Sequence, residues 1–200
     1  MTTRALPAAT GAPLACPDMP DLARLSRWIT AFDRRADRWL DVGRGRPGCD
    51  ATAAAASALG DHGRVWFALG LIRGRGRRRS ATWWAVTYTG AVTPVVNHVV
   101  KAAVDRRRPA GGPDRALPVR IPTSASFPSG HALAAWSAAT MLADGDRFGP
   151  AYYALAATIS WSRVHLRLHH TSDVLAGSLL GVALGRLGVA LGRSRRRGRE

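Results

Sequence analysis

The sequence predicts an all-α protein, a membrane-embedded bundle of about five to six helices. Three patterns predict it. Apolar residues recur at three- and four-residue steps from Leu22 to Leu40, residues 81–100 carry no formal charge, and Gly177, Gly181 and Gly185 stand four apart. Steps of three and four put side chains on one face of a helix. A charge-free run of about 20 residues is long enough to cross a hydrocarbon core, and small residues four apart let helices approach closely. A chain of 200 residues suits one domain with a core of several helices.

Residues 1–20 are rich in Pro, Ala and Thr and lack the continuous apolar stretch of a cleaved signal peptide, so they are expected to form a disordered tail. Cys16 and Cys49 are too few for a disulfide framework and lack metal-ligand spacing. Both are expected to be free thiols. Residues 21–48 read as an amphipathic helix and a linker. Leu22, Leu25, Trp28, Ile29, Phe32, Ala36 and Trp39 form the apolar face, Arg and Asp lie between them, and Gly43–Gly48 breaks the chain. An Arg-rich polar face with Trp on the apolar face suits a membrane interface; packing on a protein core fits the same pattern.

Residues 51–192 are expected to form the membrane domain. The stretch 51–72 is apolar except for Asp61-His62-Gly63-Arg64, which leaves Val65–Ile72 too short for a span. Residues 81–100 meet the length requirement, with Trp83 and Trp84 near one end and a kink expected at Pro94. Further helices are expected at 132–143, 151–161 and 174–191, the last interrupted by Arg186. A mean hydropathy of −0.08 also admits a soluble bundle.

The formal charge of +16 and a pI near 11.7 suit nucleic acid, an anionic membrane surface or a phosphorylated substrate. With no zinc-finger spacing, RNP-like aromatic motif or basic-region heptad, nucleic acid is not expected as a partner. Arginines fill 73–79 and 193–199, so the positive-inside rule places both clusters, including the basic tail 193–200, in the cytoplasm. Alternate crossings then put 101–131 and 163–173 on the extracytoplasmic side. Arg106, Arg107, Arg115 and Arg120 on that side run against the rule.

Three clusters carry the chemistry. Lys101-x6-Arg108-Pro109 contains the only lysine among 29 basic residues, Pro128-Ser129-Gly130-His131 opens a helix, and Arg163-x5-His169-x3-Asp173 follows. Phosphoryl transfer demands cations and backbone N–H groups around a spreading negative charge, and these residues supply them. His169 and Asp173 are four apart, either on one helical face or with Thr171 or Ser172 capping the helix that contains Asp173. In both geometries the carboxylate holds one ring nitrogen and frees the other for attack.

In order and spacing these clusters resemble the signature of the type 2 phosphatidic acid phosphatase (PAP2) superfamily, firmly over 101–173. The resemblance implies a PAP2-like helical fold and a membrane phosphatase, with no metal or other cofactor, acting on a lipid phosphate or diphosphate, with a polyprenyl-linked lipid favoured. It implies His169 as the nucleophile that forms a phosphohistidine, Asp173 as its orienting partner, and His131 as the general acid. Lys101, Arg108, Ser129, Gly130 and Arg163 would bind the phosphoryl oxygens. Vanadium-dependent haloperoxidases share this pocket, and soluble acid phosphatases belong to the same superfamily; both are alternatives. His165, His169 and Asp173 at i, i+4 and i+8 also admit a metal site, which would leave the cations unused.

Overall fold

The computed structural model describes residues 21–74, 79–110, 119 and 123–198. The expected tail at 1–20, with Cys16, and much of the two arginine clusters lie outside them. Seven α-helices follow in order: α1 (Leu22–Asp41), α2 (Pro47–Gly60), α3 (Arg64–Arg73), α4 (Arg79–Ala103), α5 (Gly130–Ala143), α6 (Gly149–His165) and α7 (Thr171–Arg197). A 3₁₀ turn at Asp61–Gly63 joins α2 to α3. Counting 47–73 as one interrupted element gives six.

The interruption has a local cause. His62 (φ 55°) and Gly63 (φ 69°) are both left-handed, a conformation that ends a right-handed helix. The stretch expected at 51–72 is therefore two short helices, and α2 already begins at Pro47, inside the expected linker. Proline suits a first helical position because the N–H it lacks would have no helical partner there.

The helix α5 is the centre of the bundle. Ala132, Leu133, Ala135, Ala138 and Ala139 are almost wholly buried among α4, α6 and α7. The glycine steps of α7 face it. A Cβ at Gly177 would stand 2.6 Å from the Ser129 carbonyl oxygen, and one at Gly181 2.5 Å from that of Leu133. Overpacking of this kind costs about 1–3 kcal/mol. Basic residues do not stop a helix, so α7 runs on through the sequence expected as a separate tail.

Alternation of α4, α5, α6 and α7 puts the C-terminal ends of α4 and α6 beside the N-terminal ends of α5 and α7. At the opposite end, Arg73 pairs with Asp146 at 2.9 Å and Arg193 with Asp144 at 2.6 Å. Within α7, Thr171–Arg195 is long and apolar enough to cross a membrane, with a best-window mean hydropathy of 1.9. Among the described residues it alone meets that standard. The helix α4 has 25 residues and continues through Pro94; at about 1.5 Å per residue it has the length, but its threonines, Asn97 and His98 lower its hydropathy.

The amphipathic α1 starts at Asp21, whose side chain accepts from the N–H groups of Ala23 and Arg24. It lies across the end of the bundle where α6 ends and α7 begins. Leu40 packs with Val164 and Val174, and Asp33 is buried against Ser172. Leu25, Trp28, Phe32 and Trp39 are exposed, so α1 meets the bundle with the flank carrying Asp33 and Leu40 rather than with its apolar stripe.

Candidate active site

The end of the bundle formed by α4, α5, α6 and α7 gathers every residue singled out in the three clusters. Lys101 sits in the last turn of α4, and its ammonium donates to the Ala125 carbonyl. Arg108 lies just beyond α4 and donates to the carbonyl oxygens of Ser124 and Leu168. Three cations thus reach one region, because Arg163 rises from the last turn of α6 and is only 2% exposed. The carbonyl bonds fix the loop ends at 124–125 and 168 around them.

Ser129 caps α5, and its backbone N–H donates to the Asp173 carbonyl at 3.0 Å. Gly130 opens the helix directly against Asn97: a Cβ there would meet the Asn97 amide at 3.1–3.3 Å. The first N–H groups of α5 have no partner within the helix, and its N-terminus turns the positive end of the dipole toward the cations' side of the bundle. Among the described residues, the Ser129 hydroxyl and the Arg163 Nε are buried without a hydrogen-bond partner. Buried polar groups are normally paired, and an oxyanion would pair both.

His169 is 3% exposed and lies in the short loop between α6 and α7. Its Nε2 stands 3.2 Å from Arg108 Nη1. Guanidinium only donates, so Nε2 is the acceptor and the ring proton resides on Nδ1. Asp173 Oδ2 is 3.9 Å from that Nδ1, an ion-pair distance rather than a direct hydrogen bond. Burial pushes the imidazole down to about 4, Arg108 and Arg163 push the same way, and Asp173 opposes them. At neutral pH the ring is uncharged, with its lone pair directed at the cations.

Asp173, fully buried in the first turn of α7, is held from several sides. It accepts from Arg106 at 2.5 Å, the Ser126 hydroxyl at 2.5 Å and the His170 N–H at 2.9 Å. Neither Arg106 nor Ser126 was expected from sequence spacing. His131 brings a second unexpected partner: its Nε2 lies 2.8 Å from Asp61 Oδ1. The left-handed turn at 62–63 sets Asp61 there, and Gly60 makes the approach possible, since a Cβ at that position would be 2.9 Å from the His131 ring. Ser57, on α2, accepts from Arg163.

His165, the third member of the metal alternative, does not join this cluster. Its Nε2 lies 2.9 Å from Asp50 and its ring packs on Trp161 at 4.7 Å.

The chain is similar to several known proteins. The family model of the PAP2 superfamily matches residues 82–197. Decaprenylphosphoryl-5-phosphoribose phosphatase of Mycobacterium tuberculosis strain H37Rv is 33% identical over 156 residues, covering 78% of this chain and 87% of that protein. The protein of the same name from Mycolicibacterium smegmatis is 37% identical over 136 residues, covering 66% and 73%. Among solved structures, the transmembrane PAP2 type phosphatidylglycerolphosphate phosphatase of Bacillus subtilis superimposes with a TM-score of 0.65 at 24% identity, over 83% of this chain and 87% of that one. Aquifex aeolicus LpxE gives 0.64 at 23%, over 78% and 93%. At those identities the two structures establish the fold.

Proposed function

The chain belongs to the PAP2 superfamily, and from that premise we propose that it is an integral-membrane phosphatase that removes the 5-phosphate of a polyprenylphosphoryl-phosphoribose. The observation that carries this reading is the convergence of Lys101, Arg108, Arg163, Ser129, His131, His169 and Asp173 at one end of the bundle. The lipid class follows from the two mycobacterial relatives, which are named for that activity. Apolar side chains exposed within about two turns of the site, Val95 and Val99 on α4 and Leu175 and Leu179 on α7, offer a course for a lipid tail.

Chemistry follows from the geometry. Lys101, Arg108, Arg163, the Ser129 hydroxyl and the start of α5 bind the phosphoryl oxygens and stabilise the charge that spreads over them in the transition state. His169 Nε2 attacks phosphorus, and a P–N bond forms as the P–O bond to the sugar breaks. Asp173 steadies the imidazole through Nδ1 as it gains charge. His131, paired with Asp61, gives a proton to the departing oxygen. It then takes one from the water that attacks the phosphohistidine, which releases phosphate and restores His169.

Several spans with the site on the extracytoplasmic side complete the proposal. The arginines at the opposite end, Arg73, Arg79 and Arg193 among them, support a cytoplasmic position for that end. Residues 51–192 then constitute the phosphatase domain, with the exposed stripe of α1 resting on the outer leaflet. Phosphate release from a panel tests the substrate: polyprenylphosphoryl-5-phosphoribose, a polyprenyl diphosphate, phosphatidylglycerophosphate and phosphatidate, in EDTA, with His169→Ala as the blank. The first lipid should give the highest kcat/KM. A preference of more than about tenfold for another, over 1.4 kcal/mol in transition-state binding, would reassign the substrate.

A further inference from the structure

Asp33 stands on α1, outside the segment that the family model matches, yet it reaches the residue beside the nucleophile in two steps. It is 5% exposed. Its Oδ1 accepts from the Ser172 N–H at 2.8 Å, and its Oδ2 accepts from the Ser172 hydroxyl and from Arg106 Nη2, both at 2.7 Å. Arg106 uses its other nitrogen, Nη1, on the Ser172 hydroxyl at 2.7 Å and on Asp173 Oδ1 at 2.5 Å. Every donor and acceptor in this ring is matched: guanidinium only donates, the serine hydroxyl accepts from it and donates onward, and the carboxylates only accept.

We infer that Asp33, acting through Arg106 and Ser172, is a positioning residue for Asp173 and hence for the His169 nucleophile. The argument is geometric. Asp173 Oδ2 accepts from the Ser126 hydroxyl and the His170 N–H and stands 3.9 Å from the His169 ring, so its approach to that ring depends also on what fixes Oδ1. Arg106 is the side chain that holds Oδ1, and Asp33 anchors the other prong of its guanidinium fork. Lysine could not replace it, because a single ammonium cannot reproduce that planar two-ended bridge. The anion binders Lys101, Arg108 and Arg163 take no part in the ring, so its loss should slow chemistry without weakening substrate binding.

This inference rests on the phosphohistidine reading, and the test separates the two. Steady-state kinetics and phosphoenzyme trapping with ³²P-labelled polyprenylphosphoryl-5-phosphoribose compare wild type with Asp33→Asn, Asp33→Glu, Arg106→Lys and Asp37→Asn, each checked for folding by thermal unfolding in detergent. Asp33→Asn and Arg106→Lys should lower kcat about tenfold or more, as loss of a group that orients a reactive side chain commonly does, with KM within about twofold. Phosphohistidine formation should slow by the same factor, and Asp33→Glu should recover part of it. Asp37→Asn, which also loosens α1 by removing a 2.6 Å contact to Arg44 but does not reach Asp173, should keep the wild-type kcat. If Asp33→Asn keeps kcat, or loses it only in proportion to unfolded protein, Asp33 is a structural clip and the inference is wrong. If wild type turns over with no label on His169, the parent reading fails and this one with it.

Discussion

His165 and His169 lie one helical turn apart in sequence, each beside a buried aspartate, and the ring of His169 meets a cation, Arg108. His165 directs Nε2 at Asp50, rests its ring on Trp161, and lends its backbone carbonyl to Arg44. This pair ties α6 to α2. His169 leaves α6 through the turn at Arg167, where φ is 51°. That left-handed residue turns the chain, so His169 faces Arg108 while Asp173, at the start of α7, stands 3.9 Å from the other ring nitrogen. The two pairs thus differ in geometry: His165 meets its aspartate through Nε2 at 2.9 Å, whereas His169 has Nδ1 3.9 Å from Asp173 and Nε2 beside Arg108.

Four experiments can break or sharpen that contrast. The largest effect belongs to His169→Ala, which should lower kcat/KM by more than about 10³-fold, since on the proposed mechanism it removes the covalent nucleophile and leaves only binding and electrostatic catalysis. Thermal unfolding in detergent should show the protein still folded. Next comes Asp173→Asn, which keeps the shape but removes the charge opposite Nδ1; kcat should fall about 10²-fold with a smaller change in KM.

The other pair should behave in the opposite way. His165→Ala removes one of the groups that hold buried Asp50, which also accepts from the Gly45 N–H, and should cost about 1.5–3 kcal/mol of stability, read as a lowered Tm, while the folded fraction keeps turning over. Loss of turnover in fully folded His165→Ala would end the distinction between the two pairs. The smallest effect is in the pH profile. On the proposed mechanism His169 attacks only when unprotonated, and burial pushes its pKa down to about 4, so kcat should fall as pH drops through about 4 rather than through the ordinary histidine value near 6.5. An acid limb for His169 near 6.5 would mean that the ring is solvated.

The proposed reacting groups were legible in the sequence because each cluster is local. Lys101 and Arg108, Ser129 to His131, and Arg163 to Asp173 are short patterns whose spacing carries chemistry, and the alternating helices bring them to one end. Their supports are not local. Asp33, Ser57 and Asp61 come from helices that precede all three clusters, and nothing in their own surroundings distinguishes them from solvated polar residues. Asp61 in particular read as a charge interrupting an apolar stretch. Only the turn at 62–63 reveals it as the partner of His131. Helix ends were legible to within a few residues where apolar periodicity was strong, as in α1, whereas the division of 47–73 depended on His62 adopting a backbone conformation that its residue type rarely takes.

Trapping the intermediate tests the central claim most directly. Wild-type protein in detergent is mixed with ³²P-labelled substrate, quenched in base within milliseconds, digested and mapped by mass spectrometry. Label that is stable to base, labile to acid and located on His169, and absent from His169→Ala, is the predicted result. Active wild-type protein that carries its label on another residue, or carries none while His169→Ala still releases phosphate, would contradict it.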